Sequence, residues 1–229
     1  PTALEKAAAR RGKQPKVCLF KLGNHLDHAA YLRDLFPSAQ FLFVLRDPRA
    51  IYNSQRSAAS SQTGKLMATN PLVFALRYRK AHKALERYAG EPWLHVVRYE
   101  ELVKSTQDVI AGALEFLGVD EALDEEGTSY EEQIPTPQRH LHPLIGEGPQ
   151  QKRADAWKHE LNAGDIRILQ FLMRGHMKRW SYEPTDTAPI SLSQSMRAVG
   201  QVAELPLYSL RWLRAKLRPL QQFLWQRRT

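Results

Sequence analysis

The sequence predicts an α/β fold: a parallel sheet with helices on both faces. Three observations carry that expectation. The segment FLFVL, residues 41–45, is a continuous apolar run of strand length, the pattern of a strand covered on both faces. Short runs of this kind alternate with segments of helical periodicity in the order strand, helix, strand, helix, helix, strand, helix. Breakers and caps such as Pro37, Pro48 and the Asn70-Pro71 pair stand between them.

The elements follow in order. KVCLFK, Lys16 to Lys21, is a short apolar run and reads as the first strand. LDHAAYLRDLF, Leu26 to Phe36, is an amphipathic helix with Leu26, Ala29, Ala30, Leu32 and Phe36 facing inward. Pro37 and Ser38 end it, and FLFVL follows as the second strand. The next helix opens at Pro48, whose fixed φ and missing N–H suit a first helical position. Asn70 caps one long helix that runs to Tyr88. PWLHVVRY, residues 92–99, is the third strand, and TQDVIAGALEFLGV, residues 106–119, is a helix.

Beyond this point periodicity weakens. Asp120 to Glu132 holds seven acids without the spacing of a calcium loop and reads as a solvated loop. Residues 134–150 are rich in Pro and Gly. A helix covers Asn162 to Trp180, Thr185 to Pro189 is a linker, and a tail follows. The expected organisation is one domain over residues 1–189 and a basic, amphipathic helical tail over 190–229.

Composition narrows the class. Charged residues make up 25% and apolar residues 43% of the 229-residue chain, ordinary values for a globular protein. Cys18 is the one cysteine, so no internal disulfide forms. No apolar stretch approaches the ~18 residues a membrane-spanning helix needs. The sequence begins at Pro1 with no signal-peptide pattern, and it reads as a fragment or processed form located in the cytoplasm or at a membrane periphery. The net charge is +9. The tail from Ile190 carries seven Arg or Lys against Glu204, a charge of +6, which leaves +3 for the rest. That distribution argues against a nucleic-acid-coating surface. Within the tail, Leu210, Leu213, Leu217, Leu220 and Leu224 recur at helical spacing with basic residues between them. Two readings fit: an interfacial helix touching a membrane surface through residues 204–228, or a helix docked on its own domain.

The candidate site lies where the second strand ends. FLFVL stops at Arg46-Asp47-Pro48-Arg49, and Ser54 follows about two turns into the next helix. Ligands of parallel sheets sit outside the carboxyl ends of the strands. An arginine there, with a hydroxyl facing it, forms a fork of donors matched to a phosphate. A surface Arg-Asp pair beside an incidental serine would give the same letters.

Larger segments separate the two. FPSAQFLFVLRDPRAIYNS resembles the 3′-phosphate-binding segment of sulfotransferases that use 3′-phosphoadenosine 5′-phosphosulfate (PAPS). VVRYEELVKSTQDVIAGALEFLGV resembles a second family signature, a Tyr-Glu-Glu-Leu start to a helix ending in Phe-Leu-Gly. QKRADAWKHELN is similar to the family's late basic loop, and FKLGNH to its Lys-Thr-Pro-x-His segment, with Leu22 and Gly23 replacing Thr and Pro. The resemblance spans residues 16–183. It implies a P-loop-NTPase-like sulfotransferase fold with no metal, PAPS as co-substrate, 3′,5′-bisphosphoadenosine (PAP) as product, and a hydroxyl acceptor such as a carbohydrate. It assigns Arg46 and Ser54 to the 3′-phosphate, Tyr99 to the adenine, and Lys152 and Arg153 to the phosphate again. His25 becomes the candidate base and Lys21 a contact of the acceptor or the transferring group. On the residues alone, His25 reads as a capping or solvent-facing residue at a helix start and Lys21 as a solvated strand end. Tyr99 reads as a core tyrosine, and Lys152 and Arg153 as a solvated loop. Trp157 is read as packing. His140 and His142 resemble half a metal site without a third ligand. The family's Gly-rich phosphosulfate loop has no counterpart in this sequence, so the fold is expected to be incomplete at its amino-terminal end and the chain inactive by itself.

Overall fold

The structure is a computed structural model and describes residues 19–20, 25–58, 64, 66–119, 151–187, 189, 192–203 and 206. It divides into two compact units, Pro1–Ala39 and Gln40–Thr229. Cys18, the acidic 120–132 segment, the loop containing His140 and His142, and the Leu-rich tail from Leu207 onward lie outside the described residues.

In the first unit a 3₁₀ turn, His25–His28, leads into α1, Ala29–Leu35. Leu26 and Ala29 are buried as their periodicity predicts. Ala30 and Phe36 are exposed instead. The entry turn has three residues per turn and rotates the inward face away from a 3.6-residue pattern. The Arg33 guanidinium closes the unit by donating to the Ala39 carbonyl at 2.6 Å. The expected strand over 16–21 falls almost entirely outside the described residues, and Leu19 and Phe20 carry no regular structure.

The second unit is built on two parallel strands, β1 (Phe41–Leu45) and β2 (Leu94–Arg98), paired from Phe41 opposite Leu94 to Leu45 opposite Arg98. Between them run α2 (Pro48–Ser57), α3 (Pro71–Ala81) and α4 (Lys83–Tyr88). After β2 come α5 (Tyr99–Lys104), α6 (Thr106–Leu117), α7 (Gln151–Asp155), α8 (Trp157–Glu160), α9 (Ala163–Arg179) and α10 (Leu192–Ala203). This is the expected α/β arrangement of parallel strands joined through helices.

Local chemistry explains the helix starts. Asp47 caps α2 by accepting from the Arg49 N–H at 2.8 Å, with Pro48 at the first position. Asn70 caps α3, accepting from Leu72 and Val73 at 3.0 and 3.2 Å. Gly118 ends α6 at φ 65°, a left-handed cap that glycine adopts without a Cβ penalty.

Three expectations change. The long helix over 70–88 breaks at His82, whose ring nitrogen Nδ1 lies 2.9 Å from the Tyr78 carbonyl and whose ring stacks on Tyr78. A side chain that competes for a helical carbonyl loosens the turn it follows. The segment after β2 forms two helices, with Ser105 between them. Val44 is 58% exposed, so β1 is not covered on both faces among the described residues. Its Phe43 and Leu45 side packs, with Phe43 against His82 and Leu45 fully buried.

The core lies where α9 crosses α3 and α2. Leu45, Tyr52, Ala75, Leu85, Leu169 and Met173 are essentially inaccessible there, each large side chain contributing about 1.5–3 kcal/mol by leaving water. The start of the tail joins this unit: Gln201 of α10 is buried, its carbonyl accepts from Asn70 Nδ2 at 3.0 Å, and its amide reaches Asp165 at 3.4 Å.

Candidate functional site

Arg46 leaves the carboxyl end of β1 half-buried. Its guanidinium lies over the Tyr99 ring, 4.3 Å from the centroid, a cation–π contact from the first residue of α5. Nη2 donates to the Arg153 carbonyl on α7 at 2.8 Å. The Nε–H is buried with no hydrogen-bond partner among the described residues. Burial pushes the Arg46 pKa below the ordinary arginine value and nearby Arg153 adds to this, while Tyr99, Glu100 and Asp47 pull the other way. A buried cationic donor without an acceptor is costly in a lone protein and is relieved by an anion. Charge and an orphaned donor thus coincide at the strand end where an anion is expected.

Of the other expected residues, Tyr99 and Arg153 are brought to Arg46. Tyr99 offers a ring face to the guanidinium. Arg153 contributes its carbonyl, and its exposed side chain adds positive charge nearby. Lys152 and Arg153 sit on the short helix α7, exposed, where a loop was expected. Ala154, in the place of the family's glycine, buries its methyl group and holds this segment helical. Ser54 lies exposed on the second turn of α2, which packs against α7. His25 opens the 3₁₀ turn of the first unit, and Lys21 lies outside the described residues.

A sulfotransferase family profile matches residues 2–125, more than half of the 229-residue chain. The chain belongs to the sulfotransferase family. The match includes Arg46, Ser54 and Tyr99 and stops before α7. No curated protein matches the sequence. One similar solved structure is the sulfotransferase domain from the curacin biosynthetic pathway, with TM-score 0.47 and 19% identity over 72% of this chain; the chain covers 60% of that domain.

The chain braces this strand end with residues that its sequence does not mark. The second arginine of the Arg-Asp-Pro-Arg turn is one of them. Arg49 is 3% exposed and forms a salt bridge with Asp47 at 2.7 Å. It also donates to Gln170 Oε1 at 2.6 Å and to the Glu183 carbonyl at 3.0 Å. Its face covers Trp157 at 4.0 Å, so Trp157 is packing, as expected. Arg46 therefore keeps an Nε–H without a protein partner among the described residues, while Arg49 is consumed by structure. Glu100 is the second brace. It accepts from the Asp47 N–H at 2.8 Å and from the Tyr182 hydroxyl at 3.2 Å, tying the two strand ends together. Burial first, and Glu100 next, push the Tyr182 pKa up.

A third brace runs beneath. The Tyr78 hydroxyl lies 3.0 Å from His176 Nε2 and 3.4 Å from the Arg46 carbonyl, and His176 Nδ1 lies 3.2 Å from Glu86. His82 stacks on Tyr78 with ring centroids 3.6 Å apart. Burial lowers the His82 pKa to about 4 and lowers that of His176, where Glu86 opposes the shift. The unfolded chain then protonates first as pH falls below ~6.5. Stability is full above that value and declines as pH drops towards about 4, His82 alone accounting for up to about 3 kcal/mol. Urea unfolding at pH 7 and pH 4.5 should show this loss. His82→Phe, which keeps a ring on Tyr78 but cannot protonate, should flatten the difference, and an unchanged pH dependence in that variant would contradict the assignment.

Among the described residues no group of three His, Cys, Asp or Glu is placed to hold a metal ion, and no helix is long and apolar enough to cross a membrane.

Proposed function

We propose that this chain binds the 3′-phosphate and adenine end of PAPS in an enzyme that moves a sulfuryl group to a hydroxyl acceptor, a carbohydrate being the acceptor class we favour. The observation that carries this reading is Arg46: a cation at a parallel-strand end, placed over the Tyr99 ring, with a buried Nε–H lacking an acceptor among the described residues. The 3′-phosphate supplies that acceptor in a charge-assisted bond. Ser54, Lys152 and Arg153 complete its surroundings, and Tyr99 lines the adenine side.

In the transfer, the acceptor oxygen forms a bond to sulfur as the bond from sulfur to the 5′-phosphate oxygen breaks, and PAP departs. The acceptor proton passes to a base, which we assign to His25, and Lys21 steadies charge on the transferring group. Positioning and electrostatic stabilisation dominate such reactions. The sequence contains no Gly-rich loop to cradle the 5′-phosphosulfate. The 229-residue chain alone is accordingly expected to turn over far below the ~1 per second of an ordinary enzyme.

The test is the ligand preference of Arg46. In the domain supplied with a phosphosulfate loop, Arg46→Ala should weaken 3′,5′-bisphosphoadenosine about 10- to 150-fold, the worth of one charge-assisted bond. Adenosine 5′-phosphate, which lacks the 3′-phosphate, should lose little. Equal losses by calorimetry would refute the assignment.

A further inference from the structure

In the second unit, α3 and α4 form one wall of an open groove of about 1250 Å³ and α9 forms the other. Among the described residues, six cationic side chains and one carboxylate line it, and that carboxylate, Glu86, is engaged with His176. Arg79 and Lys83 stand on one wall, Arg174 and Lys178 on the other, all exposed. Apolar groups face solvent on both walls: Leu76 of α3 is 55% exposed and Phe171 of α9 is 67% exposed. None of these cations, nor Leu76 or Phe171, is used by the nucleotide site.

We infer that this groove is a docking site for an acidic, amphipathic segment of a partner protein. Like charges lining one groove repel, screened by salt over a Debye length of ~8 Å under physiological conditions, and the occupant that relieves them is anionic. Leu76 and Phe171 require an occupant that also carries apolar side chains, which a sulfated glycan or an inorganic anion lacks. A single-stranded nucleic acid would use free aromatic faces for stacking, whereas the Arg174 guanidinium lies over Phe171 at 5.2 Å. A bilayer presents a flat surface rather than a ridge that enters a concavity between helices. A helix with acids on its flanks and leucines on one face matches the groove on every count.

The experiment uses the full 229-residue chain and three probes: a fluorescent synthetic helix of about 14 residues with leucines at helical spacing and glutamates elsewhere, a heparin oligosaccharide, and phosphatidylserine vesicles. The peptide should bind saturably. Arg79→Glu with Lys178→Glu should weaken it about tenfold or more, as should replacing the leucines of the peptide with serine. Leu76→Ser with Phe171→Ser, both at exposed positions, should reproduce the apolar loss while circular dichroism stays unchanged. Arg211→Gln with Arg214→Gln in the basic tail should leave peptide binding intact. Absence of peptide binding would overturn the inference. So would binding lost only with the tail substitutions, or groove-dependent binding of heparin or vesicles in preference to the peptide.

Discussion

Replacing Arg49 with alanine should destabilise the domain by about 3–5 kcal/mol, the range for removing one partner of a buried ion pair. The loss has three physical parts. Asp47 would be left buried, with its carboxylate facing a void where Arg49 had been. Gln170 Oε1 would lose a short donor and the Glu183 carbonyl would lose another. Trp157, 2% exposed, would lose the plate that covers its ring. Arg49→Lys should recover only part of this, because a single ammonium cannot serve acceptors on three segments with the geometry of a guanidinium fork. Chemical denaturation of the two variants measures the effect. A loss under ~1 kcal/mol for Arg49→Ala, the range of surface pairs, would show that the arginine does not hold this turn together. Because Asp47 also caps α2 and meets Glu100, part of the damage should reach Arg46, and nucleotide affinity should fall alongside stability.

The second large effect concerns catalysis. With His25 as the base we propose, His25→Ala in the domain supplied with a phosphosulfate loop should reduce turnover by about 10²–10⁴. Affinity for 3′,5′-bisphosphoadenosine should hardly change, since the groups assigned to that ligand are Arg46, Ser54, Tyr99, Lys152 and Arg153. This split separates the two halves of the assignment: Arg46→Ala acts on binding of the 3′-phosphate, His25→Ala on the rate. Near-normal turnover in His25→Ala would move the base to another residue while leaving the nucleotide reading untouched.

Features that adjacent residues decide are legible in the sequence. Asp47 before Pro48 and Asn70 before Pro71 mark helix starts because the cap bonds reach only two or three residues along the chain. Gly118 takes the left-handed cap that a Cβ disfavours, and the helix stops there although the apolar pattern reads on to Val119. The apolar run ending at Arg46 placed a cation at a strand's carboxyl end, and family segments around it named the chemistry. The division of labour between Arg46 and Arg49 was not legible, although they stand three residues apart. Arg49 is consumed by Gln170, Glu183 and Trp157, each more than 100 residues away, and nothing local announces them. Glu100 was in view within Arg-Tyr-Glu-Glu-Leu, but its task exists only because β1 and β2 are neighbours in register. Tyr78, His176 and Glu86 meet across three helices, and the break at His82 depends on a ring stack and a carbonyl contact that helical periodicity does not encode. Caps and turns are short-range and leave a signature in neighbouring letters. A buried guanidinium finds its acceptors wherever packing brings them, so the tertiary structure alone decided which arginine holds the fold and which is left with a donor to offer.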